Sequence, residues 1–148
     1  MNREERIKNT YEAMCLGVKE NFERDGFVAP VIFLLYDEDI HVFNVYSAWK
    51  DGMQQGEVLH AVRNLIKQLD ACAVIFIQEV KSLENGVEKR KAIIRIEYIG
   101  DDGTIKGQET IFNLEDERRK IEWVERVDIY NGFMFFRSEH GGGNFTLE

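Results

Sequence analysis

Apolar residues recur every three or four positions through residues 3–24, as they do on one face of an amphipathic helix. The members of this stripe are Ile7, Tyr11, Met14, Val18 and Phe22. Asn2 and, three positions later, Glu5 have the spacing of a capping box. The pattern predicts a first helix over residues 3–24 that ends at Asp25-Gly26.

Two β-rich runs follow, and a short acidic sequence separates them. Residues 28–36 are almost continuously apolar, and residues 40–46 are rich in β-branched and aromatic side chains, which predicts two strands joined at residues 37–39 as a hairpin. Residues 47–55 show no period. A second amphipathic stripe then predicts a helix near residues 58–69, with its start capped by Asp51 and Gln54.

The second half of the chain predicts strands. Residues 72–77 are apolar at every position, which is typical of a central strand covered on both faces. Asn85-Gly86 marks a turn. Residues 92–99 alternate, and this places Arg95 and Glu97 on a face exposed to water.

Residues 121–129 predict a strand, and Asn131-Gly132 predicts a tight hairpin with a return strand at residues 133–136. Both faces of that return strand are apolar. It must therefore be covered, either by the first helix or by another chain, and a symmetric homo-oligomer would supply the second. On this basis the predicted interface residues are Trp49, Trp123, Phe133, Phe135 and Phe136.

The order of the elements predicts an α+β fold, in which two helices pack on a mixed, mainly antiparallel sheet of five to seven strands. Residues 1–137 form one domain, and residues 138–148, with three consecutive glycines, form a flexible tail. Leu147-Glu148 fits either a cloning scar or a native end.

Composition narrows the class of protein. Of the 148 residues, 44% are apolar and 31% are charged, which is a globular balance. Cys15 and Cys72 lie in separate apolar runs, which favours a reducing compartment, and no run approaches the roughly 20 apolar residues of a membrane span, so we expect a cytoplasmic protein. The net charge of -8 is spread along the chain and opposes binding to nucleic acid or anionic membranes.

One short motif points to metal-dependent chemistry. An apolar strand that runs into Glu79-Val80-Lys81 resembles part of the PD-(D/E)xK nuclease family, in which a carboxylate would hold Mg²⁺ and an ammonium would position water. Asp70 or Glu97 would be the second carboxylate. The element before the motif is a predicted helix rather than the strand that the family requires, so the resemblance departs from the family pattern there.

The three histidines do not predict a metal site. His41, His60 and His140 lack the spacing of a zinc site, and we predict no resident metal. A pocket for a small ligand, such as a nucleotide, between the Trp49 loop and the sheet, with His41 as the polar contact, is a further hypothesis.

The strand that ends in Gln-Glu-Val-Lys and the following residues 88–98 are similar to small uncharacterised bacterial and phage proteins with a strand-turn-strand centre. This resemblance implies no activity. The leading hypothesis is a non-enzymatic protein-interaction protein without a cofactor, a homo-oligomer that in a phage or mobile-element setting acts on a host protein. A Mg²⁺-dependent nuclease or nucleotide hydrolase and a small-ligand protein are the alternatives.

Overall fold

The structure, a computed structural model, describes residues 2–115 and 120–136, and leaves the side chains of Lys120, Trp123 and Val124 outside that description. Its helices are α1 (Arg3–Asp25), α2 (Val45–Lys50) and α3 (Gln55–Leu69). Its strands are β1 (Val31–Tyr36), β2 (Asp39–Phe43), β3 (Ala73–Glu84), β4 (Val87–Ile99), β5 (Ile105–Glu115) and β6 (Lys120–Ile129). The predicted tail, residues 138–148, lies outside the described residues.

The strands form a six-stranded sheet in the order β2-β1-β3-β4-β5-β6. Every neighbouring pair is antiparallel. The chain leaves β2 at the edge, passes through α2 and α3, and returns as β3 beside β1. The predicted α+β fold is confirmed.

The sheet has a core on each face. Successive side chains of a strand point to opposite faces, so that Ala73, Ile75 and Ile77 pack with α1. Val74 and Phe76 pack with α2, α3 and the segment formed by residues 131–136. We call these two sides the α1 face and the α3 face. Burial of residues 73–77 on both sides confirms β3 as a central strand.

Local sequence explains where the helices begin and end. The Asn2 side chain accepts a hydrogen bond from the Glu5 amide at 2.9 Å, and Gly26, in the left-handed region at φ 80°, ends α1. The predicted start of the second helix is wrong, because α3 is capped by Gln54 and Glu57, whereas Asp51 ends α2.

Helix α2 replaces the end of the second predicted strand. Asn44 accepts a hydrogen bond from the Ser47 amide at 3.0 Å and thereby caps the helix. Val45 and Ala48 are buried three positions apart on one side of α2. A helix of six residues is too short to show periodicity, so the sequence pattern missed it.

The Asn85-Gly86 turn is confirmed. Glu84 pairs with Val87, and both turn residues have positive φ, at 53° and 78°. That combination is the two-residue turn that suits the right-handed twist of antiparallel strands.

The second predicted Asn-Gly hairpin is wrong. Gly132 has φ 71°, but Asn131 is not among the described residues with positive φ. Residues 133–136 form no strand; they cross the α3 face instead. The chain therefore leaves the sheet after β6.

Tyr11 ties α1 to the sheet through a buried hydroxyl. This hydroxyl donates to the Ile94 carbonyl oxygen at 2.6 Å and lies 2.7 Å from the Thr110 hydroxyl. Burial raises the pKa of Tyr11 above its ordinary value of 10.0. A group with a raised pKa in the folded state stabilises the fold fully below its unfolded pKa and loses that contribution as pH rises further.

Tyr11→Phe is therefore expected to lower the free energy of unfolding by about 1–2 kcal/mol at pH 7, because the Ile94 and Thr110 oxygens lose a partner. Wild type is also expected to lose stability above pH 10 more steeply than the variant. Urea unfolding at pH 7, 10, 10.5 and 11 measures both effects. Equal slopes above pH 10 would contradict this role for Tyr11.

Among the described residues, no helix is long and apolar enough to cross a membrane.

Candidate functional site

Glu79, the proposed metal ligand, is held in an ion pair on the α1 face. Its carboxylate accepts hydrogen bonds from Arg90 at 2.6 and 2.8 Å and from the Val28 amide at 3.3 Å. Arg90 also donates to the Gly26 carbonyl oxygen at 3.2 Å. The Glu79 carboxylate raises the pKa of Arg90. This pair joins the end of α1 to the β3-β4 hairpin.

The structure does not bring the four proposed catalytic residues together. Lys81 is exposed and lies 3.6 Å from Glu88. Glu97 pairs with Val74 on β3, which places it on the α3 face, opposite to Glu79. Asp70 ends α3 in the left-handed region. Within residues 2–115 and 120–136, no group of three or more metal-ligating side chains is found.

A groove with a volume of about 480 Å³ lies beside α1 and is open to a partner. Its wall on α1 consists of Thr10, Ala13, Met14, Gly17, Val18 and Asn21. Its floor and second wall consist of Val28, Ala29, Val31, Phe33, Ile40 and Ile77. Apolar and small residues dominate this surface, and Thr10 and Asn21 are its polar side chains. We call it the α1 groove.

The groove exists because α1 covers part of its face of the sheet. A six-stranded sheet measures about 24 Å between its outer strands, whereas a helix is about 10–12 Å wide. Helix α1 packs mainly on β4 and β6, and Val31 and Phe33 of β1 are only partly buried. Ile40 is 47% exposed and Val42 is 54% exposed. Two apolar residues of an edge strand thus extend the open apolar surface.

One end of the α1 groove is acidic. Thr10 and Ile40 also line a small adjoining cavity with the turn Asp37, Glu38 and Asp39. Arg6 lies 3.7 Å from Glu38 and donates to the Asp37 carbonyl oxygen at 2.8 Å. Three carboxylates and one guanidinium leave a local excess of negative charge.

Glu97 organises a second site on the α3 face. Its carboxylate is fully buried and accepts the main-chain amides of Met134, Phe135 and Phe136 at 2.8, 2.9 and 3.2 Å. Arg95 donates to the same carboxylate at 2.8 Å. A buried carboxylate is costly unless hydrogen bonds and an opposite charge compensate it, and here both do.

Two arginines hold the carbonyl groups of the same segment. Arg63 donates from two nitrogens to the Met134 carbonyl oxygen at 2.7 and 3.1 Å. Arg95 donates to the Gly132 carbonyl oxygen at 2.9 Å. We call Arg63, Arg95 and Glu97 the main-chain clasp.

The two consecutive phenylalanines of the segment are buried in the chain itself, and Phe133 is partly buried. Phe135 and Phe136 are 1% and 0% exposed, and Phe135 meets Phe76 edge to face with ring centroids 6.3 Å apart. Gly107 makes room for Phe133, since a Cβ on Gly107 would lie 3.0 Å from that ring. This burial removes the reason for placing an interface at Phe133, Phe135 and Phe136. Homo-oligomer formation stays a prediction without that support.

Trp49 and His41, proposed to share a pocket, do not line one together. A cavity of about 200 Å³ lies beside Trp49 and is lined also by Phe76 and Phe135, and His41 is not one of its lining residues. His41 sits on the edge strand β2, opposite Leu34. The Trp123 side chain falls outside the described part of the structure.

Sequence reasoning missed both the α1 groove and the main-chain clasp. The alternation around Glu97 predicted a face exposed to water, and that prediction is wrong because residues 131–136 cover it. One available signal was that residues 133–136 lack a polar side. The spacing of Ala13 and Gly17 on one side of α1 was another, since small residues there permit a close approach.

No family model, curated protein or solved structure matches this chain. Its function is therefore inferred from its physical features.

Proposed function

We propose that this chain is a non-catalytic protein-interaction protein, and that its α1 groove binds an apolar helix of a basic partner. The observation that supports this most is the groove itself: about 480 Å³ of mostly apolar space in a chain of which 31% of the residues are charged. Ligand sites are typically concave and apolar, with few polar groups. The arrangement of Glu79, Lys81, Asp70 and Glu97 gives the hydrolase alternative no such support.

A helix fits the dimensions of the groove. The wall on α1 runs from Thr10 to Asn21, which is about 16 Å of helix, or three turns. Ala13 and Gly17 place little side-chain bulk between α1 and a neighbour, and closely packed helices have axes about 8–10 Å apart. A helix beside α1 would cover Phe33 and Ile40 with residues at positions i, i+3, i+4 and i+7.

Charge indicates the chemistry of that partner. The turn of Asp37, Glu38 and Asp39 lies at one end of the groove, and the whole chain carries a net charge of -8. A partner helix with lysine or arginine over this turn would gain complementary charge and a faster encounter. A second copy of this acidic chain would bring its own negative charge to the same end.

Gly17→Leu tests the proposal with a stable protein. A Cβ at Gly17 meets no atom within 4 Å, so leucine is accommodated and fills the groove. Leucine also favours the helix by up to about 1 kcal/mol relative to glycine. The matched control is Gly56→Leu on α3, where a Cβ likewise meets nothing within 4 Å.

The probe is a fluorescently labelled 16-residue helical peptide with a leucine and alanine face and lysines elsewhere. Fluorescence anisotropy is expected to show binding to wild type and to Gly56→Leu, and at least tenfold weaker binding to Gly17→Leu. A glutamate version of the peptide is expected to bind more weakly to wild type. Equal affinity for the two leucine variants would contradict the proposal, as would a wild-type dimer in sedimentation that Gly17→Leu abolishes.

A further inference from the structure

We infer that residues 131–136 are a tethered peptide ligand, and that the surface beneath them is a peptide-binding site able to take a similar segment from another protein. The ligand class is a short peptide with two consecutive aromatic residues at the third and fourth positions after a glycine. This site lies on the α3 face and is independent of the proposed function of the α1 groove.

The contacts with the segment are those of a receptor that recognises main chain. Glu97 accepts three successive amides, from residue 134 to residue 136, and two arginines donate to the carbonyl oxygens of residues 132 and 134. Successive amides that converge on one anion form a concave nest. None of these hydrogen bonds uses a side chain of the segment, so a different sequence can make all of them.

The clasp residues lie on elements outside the segment. Arg95 and Glu97 lie two positions apart on β4, with a 2.8 Å ion pair between them, and Glu109 on β5 lies 3.6 Å from Arg95. Arg63 projects from α3. Strands β3, β4 and β5 are joined by consecutive antiparallel pairings, which hold the site in place.

Side-chain pockets beside the clasp select apolar residues. Phe135 and Phe136 are buried among residues of β1, β3 and α3, and Phe133 lies over Gly107. The Phe76 ring meets Phe135 at an interplanar angle of 73°. Main-chain contacts combined with pockets for selected side chains are how proteins commonly bind peptides.

A short connection after β6 keeps the site occupied. The strand ends at Ile129, and Tyr130, which is 84% exposed, is the next residue before the segment. A short tether gives an effective concentration on the order of millimolar. A free peptide at micromolar concentration therefore does not compete until the tether is cut.

The experiment cuts the tether in the full chain. A specific protease site is inserted between Tyr130 and Asn131, the chain is cleaved, and the released residues 131–148 are exchanged for a labelled synthetic peptide of residues 131–137. Anisotropy is expected to show micromolar binding to the cleaved protein and at least 100-fold weaker binding to the uncut chain. A peptide with alanine at positions 135 and 136 is expected not to bind.

Variants identify the site that binds the peptide. Glu97→Gln in the cleaved protein is expected to weaken binding at least tenfold, whereas Glu109→Gln and Gly17→Leu leave it within twofold. Loss of binding with Gly17→Leu would place the peptide in the α1 groove and overturn the inference. Unfolding of the body on cleavage, seen by circular dichroism, would also overturn it, as would a folded body that fails to bind the peptide.

Discussion

Glu97→Ala is expected to lower the free energy of unfolding by about 3–5 kcal/mol, the largest loss we expect from any single polar substitution in the described residues. Removing one member of a buried ion pair leaves the other charge uncompensated. Here Arg95 loses its 2.8 Å partner, and the amides of Met134, Phe135 and Phe136 lose their acceptor. Urea unfolding, followed by circular dichroism, measures the loss.

Glu109→Ala is the matched control for that change. Glu109 also faces Arg95, at 3.6 Å, but its side chain is 30% exposed to water. Exposed and partly exposed ion pairs contribute about 0–1 kcal/mol. Similar losses for the two variants would show that the burial of Glu97 does not stabilise the fold, contrary to the role we give it.

Phe135→Ala is expected to destabilise the protein by about 3–5 kcal/mol, because the substitution removes a buried aromatic side chain and leaves a cavity. Phe135 is 1% exposed and packs on Phe76 in the core of the α3 face. The substitution leaves the main-chain hydrogen bond of residue 135 to Glu97 chemically intact. Thermal and urea unfolding of the variant therefore report the side-chain contribution of the segment.

Tyr130→Ala provides the comparison for Phe135. Tyr130 is 84% exposed, and substitutions at such surface positions usually change stability by less than about 0.5 kcal/mol. If Phe135→Ala were as mild as Tyr130→Ala, residues 131–136 would not be held on the α3 face.

Local sequence predicted most of the fold because most of the fold is locally encoded. The stripe from Ile7 to Phe22, the glycine after α1 and the Asn85-Gly86 turn each have a short-range physical cause that the structure confirms. Antiparallel neighbours in chain order then follow from short turns. The exception is β1 beside β3, a pairing between residues about 40 positions apart.

Long-range packing explains the failures. Asn131-Gly132 is the same dipeptide as Asn85-Gly86, yet the residues after it cross the α3 face, where the Met134 amide donates to Glu97, 37 positions away in sequence. Glu97 is in a strand that alternates apolar and polar residues, and such alternation predicts an exposed face. Residues 131–136 cover this face, and Glu97 is therefore buried.

The candidate sites show the same contrast between short-range sequence patterns and long-range packing. The motif of Glu79 and Lys81 is visible in sequence, but Arg90 holds the first and Glu88 neighbours the second. The α1 groove is the converse case. Its walls come from α1, β1, β2 and β3, so that no single stretch of sequence contains its pattern.

Chemical-shift mapping locates the bound peptide on the surface of the protein. Uniformly ¹⁵N-labelled wild-type protein is titrated with the lysine-bearing helical peptide, and its amide shifts are compared before and after saturation. We expect the largest changes at residues 10–21 of α1 and residues 31–42 of β1 and β2, and we expect them to disappear in Gly17→Leu. Changes concentrated on α3 or β6, or unaltered in that variant, would contradict the α1 groove as the binding site.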